Sequence, residues 1–148
     1  MTTDDKLFLS RVIRADRATV YAAWTEPEIM QKWFCPRELQ LVSAESDVRV
    51  GGRFRAAMSN GKETYTVHGV YREIVPGQRL VFSHQWEEQD AVETLVTVEF
   101  EDRDGGTLVS LTHEGFRNRE SAKGHEGGWA STFDSLQDFL AERSEGAL

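Results

Sequence analysis

The sequence has a single cysteine, Cys35, and only three prolines among its 148 residues. One cysteine excludes a disulfide within the chain, and the lack of disulfides is typical of proteins from a reducing compartment. No apolar run approaches the roughly 20 residues that a membrane-spanning helix needs. The acidic start, MTTDDKLFLS, lacks the apolar stretch of a signal peptide. We therefore expect a cytoplasmic protein that does not enter a membrane.

Basic residues are also scarce, with 17 Lys and Arg against 25 Asp and Glu, which gives a formal net charge of −8. An acidic domain repels phosphate backbones and gains nothing from anionic lipid, so neither nucleic acid nor a membrane surface is expected as a partner. The apolar residues, 39% of the chain, are sufficient for a core. The length predicts a single domain over residues 1–148.

The stretch at residues 24–36, WTEPEIMQKWFCP, concentrates aromatic residues around a helix-start signal. Thr25 and Glu28 have the spacing of a capping box, and Pro27 is tolerated in a first helical turn. Asp16 suits the N-cap of an earlier helix. These signals predict two short helices whose aromatic residues form a core corner or the mouth of an apolar cavity, with Trp33 at the opening.

Between residues 37 and 116 apolar residues alternate with polar ones, which is typical of half-buried strands. Glycine-containing pairs mark the turns between them: Asn60-Gly61, Pro76-Gly77 and Gly105-Gly106. An earlier strand is predicted for residues 7–13, an interruption of a strand at Gly69, and an acidic loop for residues 87–90. The pattern predicts about six strands in an antiparallel meander.

The chain ends with apolar residues at helical spacing: Trp129, Phe133, Leu136 and Leu140. Asn118 suits the N-cap, so we predict a helix over residues 119–142. Glycines at 124, 127 and 128 interrupt its propensity, and we expect them to allow close approach by another element. A helix of about 24 residues is about 36 Å long, enough to lie across one face of a sheet. Such a layout leaves an apolar cavity between sheet and helix.

These pieces, in this order, resemble the family related to the activator of Hsp90 ATPase, within the START-like (polyketide cyclase, Bet v 1-like) superfamily. The matching segments are RVIRADRATVYAAWTEPEIMQKWFCP, Gly51-Gly52-Arg53-Phe54, GVYREIVPGQRLVFS, VTVEFEDRDGGTLVSLTHEGF and residues 128–140. The resemblance covers nearly the whole chain. It implies an α+β helix-grip fold, with a curved antiparallel sheet of six to seven strands around the C-terminal helix. Many activities occur on this fold, so the fold alone does not decide the chemistry.

Two histidines, His84 and His113, fall on apolar strand faces and are the candidates for polar groups in the cavity. An imidazole titrates near neutral pH and can anchor a ligand or act as a general acid or base. The alternative is an ordinary buried histidine bonded to a neighbouring carbonyl. His125, on the helix, has the same alternatives. No close pair of histidines has metal-ligand spacing, and Cys35 has no CxxC partner, so no metal or cofactor is expected.

Bulky residues form the core or the cavity wall: Trp33, Phe54, Met58, Phe82, Trp86, Trp129 and Phe133. As an ordinary core they need no ligand. Their number exceeds what a small helix-on-sheet interface needs, which favours a pocket for an aromatic or lipid-like molecule. Cys35 has no adjacent base to lower its pKa and is predicted to be a packed thiol.

The sequence therefore favours binding of a small hydrophobic molecule over catalysis. The first alternative is an enzyme of the cyclase, dehydratase or hydrolase kind, with His84 or His113 as acid–base. The second, which the resemblance implies, is a stimulator of an Hsp90-type ATPase. That alternative loses ground because the eukaryotic activator carries an additional domain, for which 148 residues leave no room. A homodimer stays open.

Overall fold

Seven strands and three helices succeed one another in the computed structural model, which describes the backbone of residues 6–88 and 91–146 and the side chains of residues 6–88 and 91–141. Their order is β1 (Lys6–Ile13), α1 (Arg17–Thr25), α2 (Pro27–Met30), β2 (Gln40–Ser46), β3 (Arg53–Ser59), β4 (Thr64–Val75), β5 (Arg79–Trp86), β6 (Thr94–Arg103), β7 (Gly106–Glu114) and α3 (Arg119–Gly146). Part of the predicted 87–90 loop, residues 89–90, lies outside the described residues. None of the helices in the described ranges is long and apolar enough to cross a membrane.

All seven strands join one antiparallel sheet in the order β1-β7-β6-β5-β4-β3-β2. The predicted meander is confirmed, and β1 extends it by pairing with β7 along its whole length. One extra residue interrupts the pairing at Val42 in β2 and at Arg72 in β4. Such bulges bend a strand and increase its twist, so they help to curl the sheet towards α3.

Gly69 lies within β4 but does not interrupt it, contrary to the sequence prediction. It pairs with Phe54 on β3, and a Cβ atom at this position would collide with the Ser83 carbonyl oxygen and the Phe54 ring. The neighbouring Val70 N–H donates to the Ser83 hydroxyl at 2.9 Å. A glycine is needed at position 69 because the backbone of β5 approaches closely at Ser83. Glycine within a strand often marks such a close approach.

The helical pair begins as predicted, with the Asp16 side chain accepting the Thr19 N–H at 2.7 Å. The predicted capping box at Thr25 is wrong. Thr25 is the last residue of α1, its hydroxyl donates to the Tyr21 carbonyl, and Glu26 precedes α2 without a side-chain cap. The physical reason is burial: α1 continues through Thr25, and this places Trp24 in the core, where it is 2% exposed.

The predicted terminal helix is confirmed, and Asn118 caps its start by accepting the Ser121 N–H at 2.8 Å. Replacing Asn118 with alanine is expected to lower the free energy of unfolding by about 1 kcal/mol, because this N–H loses its acceptor. Urea unfolding measures the change. The control is Asn118→Ser, which keeps an acceptor oxygen; equal losses in both variants would contradict the capping role.

The stripe of α3 faces the sheet and the helical pair, and its members are buried: Trp129, Phe133, Leu136 and Leu140. Trp24 is the centre of an aromatic cluster with ring contacts to five neighbours: Trp33, Phe34, Phe100, Trp129 and Phe133. Much of the aromatic content therefore fills the core itself. The Trp24 indole nitrogen is the one fully enclosed side-chain N or O atom without a partner in the described part of the chain.

Two arginines attach α3 to the elements on either side of it. Arg11 on β1 pairs with Asp134, and Arg37, after α2, pairs with Asp138. All four side chains are partly exposed, so each pair contributes little to stability. Their effect is positional, since they hold the middle of α3 against the edge strand and against the segment that follows α2.

Candidate functional site

A pocket of about 380 Å³ lies between the sheet, the segment after α2 and the first half of α3. The sheet contributes Met58, Val67, His84 and Trp86, and the segment contributes Phe34, Cys35, Pro36 and Leu39. The helix contributes Ser121, Gly124, His125, Gly128, Trp129 and Thr132. No Asp, Glu, Lys or Arg is present in this described lining, so the wall is apolar apart from two imidazoles, the Trp indoles, the Cys35 thiol and two hydroxyls.

Two glycines of α3 give the pocket its width. A Cβ atom at Gly124 or Gly128 would have no heavy atom within 4 Å. The predicted close approach of another element is therefore wrong: these positions border open space. Gly127 is equally unobstructed, but it lies on the exposed side of α3 and does not line the pocket. Helical geometry explains the difference, because residue 128 is rotated by about 40° from residue 124 towards the pocket, whereas residue 127 is rotated by about 60° in the other direction.

His113 on β7 is fully buried, and both of its ring nitrogens are bonded. The Trp129 indole N–H donates to His113 Nδ1 at 3.0 Å. The Thr94 hydroxyl lies 2.6 Å from His113 Nε2 and 2.7 Å from the His84 carbonyl oxygen. Since a carbonyl can only accept, Thr94 donates to it and receives the His113 Nε2–H. We assign His113 as the neutral Nε2–H tautomer on this basis.

The hydrogen bonds of His125 on α3 indicate the opposite tautomer. Its Nδ1 lies 2.9 Å from the Ser121 carbonyl oxygen, so Nδ1 carries the proton, and its Nε2 accepts the Trp86 indole N–H at 3.0 Å. The helix and the sheet are thus joined by two Trp–His hydrogen bonds. In one bond Trp129 on the helix donates to His113 on the sheet. In the other bond Trp86 on the sheet donates to His125 on the helix.

His84 on β5 lies between these two pairs and is 5% exposed. Its ring centroid is 4.7 Å from that of His113 and 5.5 Å from that of Trp86. Unlike the other two imidazoles, its ring makes no hydrogen bond to another residue within the described ranges. His84 also lines the pocket, so of the three imidazoles it is the one with hydrogen-bonding capacity left for a molecule in the pocket.

Burial keeps these imidazoles neutral. It lowers the pKa of His84 to about 3, with repulsion from His125 adding to the shift. Burial, followed by repulsion from His84 and His125, lowers the pKa of His113 to about 2. A neutral imidazole offers one donor and one acceptor. At neutral pH the rings of His84 and His113 can therefore form hydrogen bonds without introducing a charge.

The pocket brings together four of the residues predicted to line a cavity: Met58, His84, Trp86 and Trp129. The other five lie outside its lining and are buried elsewhere: Trp33, Phe54, Phe82, His113 and Phe133. Trp33, expected at the opening, is instead 1% exposed because its indole N–H donates to the Ala23 carbonyl at 2.9 Å. Phe54 and Phe82 pack against each other, with ring centroids 5.1 Å apart.

Several lining residues were not predicted from the sequence as site residues, although Gly124 and Gly128 were noted as interruptions of the helix. The small residues of α3 recur at helical spacing beside the aromatic stripe: Ser121, Gly124, Gly128 and Thr132. This helical spacing of small residues was the sequence signal that could have predicted which side of α3 borders the pocket. Thr94, which fixes the tautomer of His113, carried none, because a threonine on a strand is common and its partners are distant in sequence.

Cys35 is a buried thiol in the pocket wall, and its Sγ donates to the Leu39 carbonyl at 3.5 Å. Burial raises the pKa of Cys35, which keeps the thiol protonated and unreactive. Among the described side chains, those of residues 6–88 and 91–141, no three His, Cys, Asp or Glu are grouped so as to hold a metal ion.

A curled antiparallel sheet that grips one long C-terminal helix defines the helix-grip class of α+β domains. Within that class, the chain belongs to the activator of Hsp90 ATPase homolog 1-like protein family, whose family model matches residues 14–141. The resemblance drawn from the sequence is confirmed.

Solved structures of bacterial proteins share the fold over almost the whole chain. A protein from Nitrosomonas europaea is 21% identical, with a TM-score of 0.82 and coverage of 98% of this chain and 99% of that one. The AHSA1 protein from Silicibacter pomeroyi is 23% identical, with a TM-score of 0.82 and coverage of 93% and 99%. A protein from Rhizobium leguminosarum is 27% identical, with a TM-score of 0.78 and coverage of 93% and 94%. A search of curated proteins found no match.

Proposed function

We propose that this protein binds a small hydrophobic or aromatic molecule between its sheet and α3. The observation that carries the proposal is the pocket of about 380 Å³, lined by apolar side chains and by two glycines that leave space. Pockets for small molecules have volumes of about 300–1,000 Å³ and are mostly apolar with a few placed polar groups. His84 is such a group.

The two glycines support this proposal on energetic grounds. A glycine inside a helix is less favourable than alanine by about 1 kcal/mol. A larger apolar residue at position 124 or 128 would strengthen the helix and fill the space without meeting another atom within contact distance of its Cβ. A chain selected only for a stable core would gain by such a change. Gly128, which is half-buried in the pocket wall, therefore leaves space that a ligand can occupy.

The histidines favour binding over catalysis. A general acid or base works best when its pKa lies near the operating pH. The pKa values of His84 and His113 are about 3 and about 2, far below neutrality. In addition, both nitrogens of His113 are bonded to Trp129 and Thr94, so it has no free atom to exchange a proton with a substrate.

Filling the pocket tests the proposal. The probe is N-phenyl-1-naphthylamine, an uncharged fluorophore whose emission increases in apolar surroundings. We expect Gly128→Leu to weaken its binding by about tenfold or more, which corresponds to about 1.4 kcal/mol. Gly127→Leu is the matched control, since it makes the same change on the exposed side of α3. Probe binding that is equal in both variants would contradict a ligand site in this pocket.

A further inference from the structure

Three imidazoles meet at the sheet end of the pocket, but they are not equally available to a ligand. Their ring centroids are separated by 4.7 Å (His84–His113), 5.5 Å (His113–His125) and 6.1 Å (His84–His125). Each bonded imidazole uses one nitrogen as a donor and the other as an acceptor. A neutral imidazole has no third site, so His113 and His125 have no hydrogen bond left to offer.

His84 has the opposite properties. It lines the pocket, it is 5% exposed, and its ring interacts with its own backbone but is bonded to no other residue of the described ranges. Neither of its nitrogens is both fully enclosed and unpartnered, since in these ranges that description fits the Trp24 indole nitrogen alone. A buried polar group without a partner is destabilising, and a ligand that supplies the partner removes that penalty.

The surroundings of His84 select against charge. The charged residues Glu88 and Arg117 belong to a neighbouring pocket that His84 also lines. The described lining of the 380 Å³ pocket contains no Lys or Arg, and the chain as a whole carries a formal charge of −8. A carboxylate entering this pocket would lose its hydration without meeting a counter-charge, which is strongly unfavourable. A hydroxyl or carbonyl group has a much smaller desolvation penalty, and a neutral imidazole can serve either of them.

We infer that His84 is the hydrogen-bonding anchor on the sheet side of the pocket, and that it holds the hydroxyl or carbonyl group of an uncharged ligand whose remaining atoms are an apolar ring system. This inference rests on the proposed function and narrows it. Of the two strand histidines considered from the sequence, it keeps His84 and removes His113. It also predicts that carboxylates with the same ring system are rejected.

Three related molecules test this anchor: naphthalene, 2-naphthol and 2-naphthoate, each used to displace N-phenyl-1-naphthylamine at neutral pH. We expect 2-naphthol to bind about tenfold more tightly than naphthalene, which is the effect of one buried hydrogen bond, and 2-naphthoate to bind at least about tenfold more weakly than 2-naphthol. His84→Phe should abolish the advantage of 2-naphthol over naphthalene. The control is His68→Phe, because the His68 side chain is 45% exposed and lies outside the pocket.

The His84 variant alters a buried position, so a second measurement uses the unmodified protein. The imidazole ¹⁵N resonances of His84 should shift when 2-naphthol binds and should not shift when naphthalene binds, and those of His113 should stay unchanged in both cases. Equal binding of 2-naphthol and naphthalene, or tight binding of 2-naphthoate, overturns the anchor while the pocket remains a binding site. If none of the three displaces the probe and Gly128→Leu does not weaken the probe, the proposed function fails as well.

Discussion

Trp129→Ala is expected to lower the free energy of unfolding by about 4 kcal/mol or more. Trp129 is 6% exposed and stacks on Trp24 with ring centroids 6.2 Å apart and an interplanar angle of 25°. Removing a buried aromatic ring costs about 3–5 kcal/mol. The same change leaves His113 Nδ1 without its donor, which adds about 1–3 kcal/mol. Urea unfolding at neutral pH measures the sum, and a loss below about 2 kcal/mol would contradict this role.

Trp129→Phe separates the two contributions. Phenylalanine keeps a ring in the core but cannot donate to His113, so the expected loss is about 1–3 kcal/mol. A double-mutant cycle with His113→Leu isolates the hydrogen bond. Each single change orphans one polar group, whereas the double change removes both, so the double variant should be more stable than the sum of the single losses predicts, by about 1 kcal/mol or more. Strict additivity would show that the Trp129–His113 bond contributes nothing.

The strands and the terminal helix were predictable because their signal is periodic and local. Alternation gives the face of each residue: in β5, Leu80, Phe82, His84 and Trp86 share one side. Alternation does not show at which residue of the strand the aromatic core ends and the pocket begins. Phe82 packs on Phe54 and Tyr71, whereas His84, two residues further, borders the pocket. That boundary depends on where α3 crosses the sheet, which is tertiary information.

The pocket was less predictable than the fold for a related reason. The glycines of α3 were visible in the sequence, but a missing side chain can mean a close contact or an open space. Only the packing distinguishes the contact at Gly69 from the space at Gly128. Likewise, the capping signal at Thr25 was real but weak, since a cap is worth about 1 kcal/mol and burial of Trp24 contributes more.

Acidification should destabilise this protein well before its carboxylates protonate. The ordinary pKa of histidine, 6.5, applies to the unfolded chain, and burial lowers the pKa to about 3 for His84 and about 2 for His113. Below a pH of about 6.5 the unfolded state takes up two protons that the folded state cannot accept. The stability due to these neutral imidazoles is therefore fully present above pH 6.5 and is lost as the pH falls towards the folded pKa values.

The expected slope is about 1.4 kcal/mol per pH unit for each histidine. Between a pH of about 6.5 and a pH of about 5, the free energy of unfolding should then fall by about 2 kcal/mol for His84 and by the same amount for His113. Urea unfolding across this range measures the slope. Carboxylates ionise near a pKa of about 4, so they contribute little within it.

Histidine variants show which imidazole is responsible for each of the two protons that the unfolded state takes up. His84→Phe and His113→Leu should each remove one of the two protons and reduce the slope by about half. The control is His68→Phe, the same change at a side chain that is 45% exposed and whose Nδ1 lies 3.2 Å from a Glu87 carboxylate oxygen. A slope that persists unchanged in both the His84 and the His113 variants would mean that the acid sensitivity arises elsewhere. A halved slope in each variant would show that the stability of the fold depends on keeping both rings neutral. In this neutral state Trp129 can donate to His113, and His84 can bind an uncharged ligand.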